Sequence, residues 1–245
     1  MKGALDLTSA GYSMVPLVGR QEEVRSLSYA LKSRQSRLIV GPSGIGKTRL
    51  LEESLSRSGQ PFVRVERPLV LHQLLVCMAE QMPCRSPRFS NLRQATSVHL
   101  KPLVLHALRA HPQCVILEDI PSADPRMYRF LQKVYYVPQS CLVVTARSRD
   151  SIGQLRKLLW DPSEEIRLRH LTRQESITLF EHACNVFHLE HFDLDDFRRK
   201  VIDAAHGNPG QITAMCRLAS QPEYRSGSRI KFLPLRMDVL SAFVS

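Results

Sequence analysis

The sequence predicts an α/β fold: a mainly parallel five-stranded sheet covered by helices, followed by a small all-helical part. Three observations predict it. Short apolar runs punctuate the chain up to residue 171, helix-like segments alternate with them, and beyond that point the strand-like runs stop while helical patterns continue.

The strand-like runs are SRLIV (36–40), FVRVE (62–66), CVILE (114–118), CLVVTA (141–146) and EIRLRHL (165–171). Helical segments are expected near 21–33, 47–58, 68–82, 98–111, 124–135 and 151–159. Pro121 and Asp124-Pro125 mark turns after the third strand, and VPQS (137–140) marks one before the fourth. Past residue 171, Thr172 with Glu175 three positions later spells a capping box ahead of an amphipathic run. DLDDFRRKVIDAAHG is a second helix ended by Gly207, and PGQITAMCRLAS a third with proline at its start. The expected organisation is an α/β domain over 1–171, a helical subdomain over 172–221 and a tail over 222–245 made of a short strand and a turn of helix.

Composition excludes several classes. Apolar residues make up 43% and charged residues 23% of the 245, as in an ordinary globular protein. No apolar run approaches the ~18 residues that cross a bilayer; PLVLHQLLVCMA (68–79) is short and interrupted by His72 and Gln73. Lys2 is followed by Asp6 and no compact apolar core, so no secretory signal is expected and the chain reads as cytoplasmic. The six cysteines are scattered without zinc-ligand spacing, and neither a metal site nor a structural disulfide is expected from them. The net charge of +11 is the unusual global feature. No acid lies between Gln81 and Leu117, where Arg85, Arg88, Arg93, Lys101 and Arg109 are basic; Arg126, Arg129, Lys133, Arg147, Arg149, Arg156 and Lys157 form a second zone. Such an excess suits anionic partners: nucleotide, and nucleic acid or an anionic membrane surface. A solvated basic face without a partner is the alternative.

The most specific stretch is Gly41-Pro42-Ser43-Gly44-Ile45-Gly46-Lys47-Thr48, which matches G-x-x-x-x-G-K-[ST] at every fixed position. It follows a strand and opens a helix, as the chemistry requires. The backbone N–H groups of such a loop and the positive helix end cradle phosphates, and the glycines let the backbone curl around them. Lys47 adds a point charge at the β- and γ-phosphates, and the Thr48 hydroxyl is a ligand for Mg²⁺. CVILEDI ends an apolar strand in Glu118 and Asp119. Two carboxylates there suit a metal ion and an attacking water. Thr145-Ala146-Arg147 ends the next strand-like run, where Arg147 would stabilise developing charge on the γ-phosphate or report nucleotide state.

Together these motifs resemble the additional-strand P-loop ATPases, specifically their AAA-like and STAND groups. VPLVGRQEEV (15–24) is similar to the leading turn of that family, VILED to its Walker B strand, VVTAR to its sensor-1 strand, and HGNPGQITAM (206–215) to the G-x-P motif of its helical lid. The resemblance covers roughly 15–221. It implies a three-layer P-loop NTPase sandwich with strand order 5-1-4-3-2, and a nucleotide held between core and lid. It also implies ATP and Mg²⁺ as cofactors. Val18 and Pro209 would lie near adenine, Gly41 to Thr48 and the following Arg49 at the phosphates. Thr48 and Glu118 would hold the metal, with Asp119 at the water and Arg147 at the γ-phosphate. Adenine rests on the resemblance alone, together with the absence of an N-K-x-D guanine motif.

Two departures bear on activity. The family commonly ends Walker B in Asp-Glu or Asp-Asp, whereas this chain has Glu118-Asp119, and a displaced catalytic group can cost about 10²-fold in rate. The chain also ends some 24 residues after the lid, where many relatives continue into a winged helix and sensor repeats. Three functions stay open at this level. One is an ATPase switch that couples nucleotide state to a partner, by fast or slow hydrolysis. Another is a DNA-associated ATPase that assists transposition or replication. The third is a silent nucleotide-holding interaction module. Arg156 or Arg129 acting in trans on a neighbouring copy, and self-association with it, belongs to the first of these.

Overall fold

In a computed structural model, which describes residues 15–83, 92–120, 122–227 and 229–244, the five apolar runs pair into one parallel sheet. Its strands are β1 (Arg37–Val40), β2 (Phe62–Glu66), β3 (Cys114–Glu118), β4 (Cys141–Ala146) and β5 (Glu165–Arg167). They lie in the order β2-β3-β4-β1-β5, which is the order 5-1-4-3-2 read from the other edge. Every residue of β3 and β4 is buried, as parallel strands covered on both faces must be. The edge strand β2 alternates instead, burying Val63 and Val65 and turning Arg64 aside. Its open edge is capped by Gln81, whose side-chain amide accepts from Arg64 N–H at 2.9 Å and donates to Arg64 C=O at 2.7 Å. That amide does for β2 what another strand would do, and leaves less edge for a foreign strand.

The helices around the sheet are α1 (Gln21–Lys32), α2 (Lys47–Ser58), α3 (Leu71–Gln81), α4 (Ser97–Ala110) and α5 (Pro125–Tyr135). Asp124 begins α5 by accepting from the N–H groups of Arg126 and Met127, both at 2.7 Å, with Pro125 at the first position. At the N-terminal end of the sheet Cys114 and Cys141 stand opposite each other in register, and Cys141 Sγ donates to Cys114 Sγ at 2.7 Å. That bond, with Arg34 beside it, pulls the Cys114 thiol below its ordinary pKa. Among the described residues no helix is long and apolar enough to cross a membrane.

Contacts divide the chain into two compact units. The α/β unit comprises Glu22–Pro42 and Leu50–Leu168. Of the described residues, the helical unit comprises 15–21, Ser43–Arg49, and those from Arg169 onward. The latter contains α6 (Arg173–Val186), α7 (Leu194–Ala205), α8 (Pro209–Ala219), a hairpin of β6 (Arg225–Ser226) and β7 (Arg229–Ile230), and α9 (Phe232–Val244). Phe180, Phe197, Val201, Ile212, Met215, Leu235 and Val239 form its core, with the Phe180 and Phe197 rings 5.8 Å apart.

Three elements differ from the sequence expectation. Residues 151–159 form two tight 3-10 turns, Asp150–Ile152 and Gln154–Lys157, because Gly153 between them takes φ 55° and ends the helical path. The fifth strand stops at Arg167 rather than reaching 171. Its partner β1 ends where Val40 accepts from Leu168 N–H at 2.9 Å, so the residues beyond have no ladder to join. The tail carries a two-stranded hairpin and a 13-residue helix in place of one strand and one helical turn. Tyr224 donates to Asp238 at 2.6 Å and fastens the hairpin to α9.

The capping box at Thr172 forms with both halves present, Glu175 accepting from Thr172 N–H at 2.8 Å. Thr172→Ala is expected to lower stability by about 1 kcal/mol. Thermal unfolding should then show a midpoint lower by roughly 2–4 °C.

Candidate nucleotide site

A parallel register brings strand ends to one edge. Val40 is level with Ala146 and Arg167, and Glu66 with Glu118, so the segments that follow all leave from the C-terminal side of the sheet. Ligands of open α/β sheets bind on that side, where β1 has its two neighbours β4 and β5. Gly41 N–H donates to Ala146 C=O at 3.2 Å, which extends the ladder by one rung before the loop begins. Gly44 and Gly46 then take φ 76° and 100°, and α2 starts at Lys47. A side chain at position 46 would be strained in that conformation, so the loop's path depends on glycine there. Ile45 is fully buried and anchors the loop, Lys47 is 7% exposed, and Thr48 is exposed.

The helical unit holds this loop at its carbonyls. Asn208 caps α8 by accepting from Gln211 N–H at 3.2 Å, and its own amide donates to Ser43 C=O at 2.9 Å. Gly210 N–H donates to Gly44 C=O at 2.8 Å. A trans peptide sets its C=O and the next N–H on opposite sides. Fixing the Ser43 and Gly44 carbonyls toward α8 therefore turns the N–H groups of Gly44 and Ile45 to the other side of the loop. An anion cradle needs such freed N–H groups. Gly210 has to be glycine for a steric reason, since a Cβ there would stand 2.8 Å from the Gly44 Cα and C=O. Pro209 sits beside the same loop, its Cγ 4.0 Å from where a Gly46 Cβ would be. Arg49 donates to Val15 C=O at 3.1 Å, and Val18 packs, half-buried, against the helical core. Val18, Ser43 to Arg49 and Pro209 thus come together in one unit.

The α/β unit assembles the acids. Asp119 takes φ 45°, and its N–H donates to Thr145 Oγ1 at 3.0 Å, tying the turn after β3 to the end of β4. Arg67 reaches the Asp119 carboxylate at 3.8 Å. Glu118 is 6% exposed and ion-paired with Arg64 of β2, which also approaches Glu66 at 3.4 Å and Glu52 at 3.7 Å. Arg147 follows Ala146 at the strand end and is exposed, with no ion pair among the described residues. The hydroxyl of Thr48 and the carboxylate of Glu118 are hard oxygen donors of the kind Mg²⁺ takes. A metal at Glu118 Oε1 would compete with Arg64 for that oxygen.

Sequence reasoning missed Asn208, Gly210 and Arg64. Signals existed for each. Glycine at the second position of a helix is unneeded unless something approaches closely, and asparagine before proline is a cap with a spare amide. A single arginine within the strand FVRVE calls for an acid partner.

No family model matches the chain, and no curated protein matches its sequence. Solved structures do match its fold. The Aeropyrum pernix ORC1 protein, solved in complex with DNA, superposes with a TM-score of 0.67 at 17% identity, over 95% of this chain and 66% of that one. Cdc6p from Pyrobaculum aerophilum gives 0.65 at 13%, over 86% and 65%. The Thermotoga maritima RuvB Holliday junction branch migration motor gives 0.59 at 16%, over 91% and 69%. The chain spans about two thirds of the length of these proteins. The fold is that of the P-loop ATPases of the AAA+ type.

Two substitutions probe the geometry. Gly210→Ala is expected to destabilise the protein by about 1–3 kcal/mol in urea unfolding, because the neighbour that must yield is backbone. Arg64→Met should destabilise the protein by about 1–3 kcal/mol in urea unfolding, because it removes the ion pair of a buried carboxylate. Adding Glu118→Gln should recover most of that loss.

Proposed function

We propose that this chain is an ATP-binding, Mg²⁺-dependent P-loop ATPase of the cytoplasm that works as a nucleotide-driven switch. The observation that carries the reading is the eight-residue loop 41–48, with its left-handed glycines between β1 and α2, in a fold shared with P-loop ATPases. Gly41 to Thr48, with Arg49 following, bind the phosphates, and Lys47 neutralises their charge. Thr48 and Glu118 hold Mg²⁺, which supplies charge neutralisation and orients the phosphates. Asp119 orients the attacking water and Arg147 senses the γ-phosphate. Val18 and Pro209 take the adenine, with residues 172–221 as the lid over it. The inverted acid pair and the Arg64 counter-ion both point to slow turnover, since Arg64 has to yield before Glu118 binds metal.

Phosphate release from ATP tests the reading. Lys47→Ala should lower it by about 100-fold or more. Equal release from wild type and variant would sink the enzyme, and equal stabilisation by ATP and ADP with no turnover would leave a silent nucleotide-holding module. A second reading, a DNA-associated ATPase, draws on the cation excess and on the DNA-related neighbours ORC1 and RuvB. In the basic stretch 81–117 one described arginine is already matched by an acid. Arg93 is paired with Glu80 at 2.8 Å, and Arg85 and Arg88 lie outside the described residues.

A further inference from the structure

The cations best able to attract an anionic partner are those that no acid of the chain neutralises. On α7, Arg198, Arg199 and Lys200 are all paired with Asp195 or Asp196 at 2.5–3.2 Å. Arg149 is paired with Glu165 at 3.0 Å. Helix α5 differs. Its sequence PRMYRFLQKVY holds three cations and no acid, and Asp124 ahead of it is turned to the backbone as a cap. Arg126, Arg129 and Lys133 are exposed, and among the described residues none of them has an ion pair.

These three and Tyr136 recur at steps of three and four residues, so they form one stripe about 15 Å long on the helix surface. The buried residues Met127, Phe130, Leu131 and Val134 form the other face, toward the core. The stripe ends at a surface hollow of about 330 Å³ lined by Arg109 of α4, Gln132, Lys133, Tyr136 and Val137. Helix α4 also carries no acid, and Arg109 is exposed and unpaired among the described residues. The Tyr136 ring is 69% exposed, yet it is held edge-on by Tyr135 with centroids 5.3 Å apart. An aromatic ring left open to water, beside cations with no ion pair among the described residues, is the pairing of features that single-stranded nucleic acid uses.

We propose that this stripe and hollow bind single-stranded nucleic acid. Phosphates lie along Arg126, Arg129, Lys133 and Arg109. One base stacks on Tyr136, with the Gln132 amide at its edge. A duplex fits less well, because its bases are stacked on each other and cannot reach a ring at the protein surface. The proposal does not rest on the ATPase reading: none of these residues belongs to loop 41–48 or to the acid pair.

Anisotropy of a labelled oligothymidylate of about 16 nucleotides, with the full chain and no nucleotide, provides the test. Binding should weaken steeply between about 50 and 200 mM salt. Arg129→Gln with Lys133→Gln should weaken it and lower the log–log salt slope by about 1.4. Tyr136→Ala should weaken it about tenfold with the salt slope unchanged. Arg198→Gln with Arg199→Gln on α7 should change nothing, and neither should Lys47→Ala, which separates this test from that of the ATP site. Thermal unfolding confirms that each variant is folded. The proposal is overturned by absence of binding at the lowest salt, by indifference to either α5 variant, or by tighter binding of a duplex of equal length or of anionic vesicles.

Discussion

The constraint from which the rest follows is the parallel register of β3, β4 and β1. Parallel strands all end on one edge, so residues distant in sequence leave the sheet side by side. Val40 is level with Ala146, and the turn at Asp119 is tied to Thr145. The evenly spaced hydrogen bonds of β3 and β4 keep this register, since a slip would break them where both strands are buried away from water. Chemistry then needs only short excursions from the strand ends.

The loop between β1 and α2 is shaped by a second set of contacts, made by the N-terminus of α8. Asn208 and Gly210 satisfy the carbonyls of Ser43 and Gly44, and planar trans peptides turn the adjoining N–H groups to the opposite side. The helical unit therefore sets the orientation of the loop's dipoles. Such preorganisation counts in binding anions, because dipoles fixed in advance need not be reoriented when the charge arrives. A rearrangement at α8 would reach the loop through these same bonds.

Electrostatics on the α/β unit are divided between held and free charge. Glu118, nearly buried, is matched by Arg64, because an unpaired carboxylate there would be costly. Arg147 and the α5 cations are exposed, and water screens them at little cost. Buried Glu118 has its partner inside the chain, whereas Arg147 and the α5 cations are exposed to something outside it.

Much of this was legible in the residues. Apolar runs and capping signals marked the five strands and most helices, because burial and backbone satisfaction are local demands. The pattern from Gly41 to Thr48 marked where the chain curls between β1 and α2, since left-handed turns need glycine wherever the chain goes next. The 3-10 turns at 150–157, the early end of β5 and the helix α9 were not legible, because each depends on what lies alongside. The same is true of Arg64 against Glu118 and of Gly210 against Gly44. The sequence by itself determined which segments bury apolar surface and which loop needs glycine to curl. Tertiary structure alone decided which carboxylate is already engaged, which carbonyls are held and which of the described cations have no ion pair among the described residues. Those depend on distances between residues far apart in the chain, and only packing brings such residues within range.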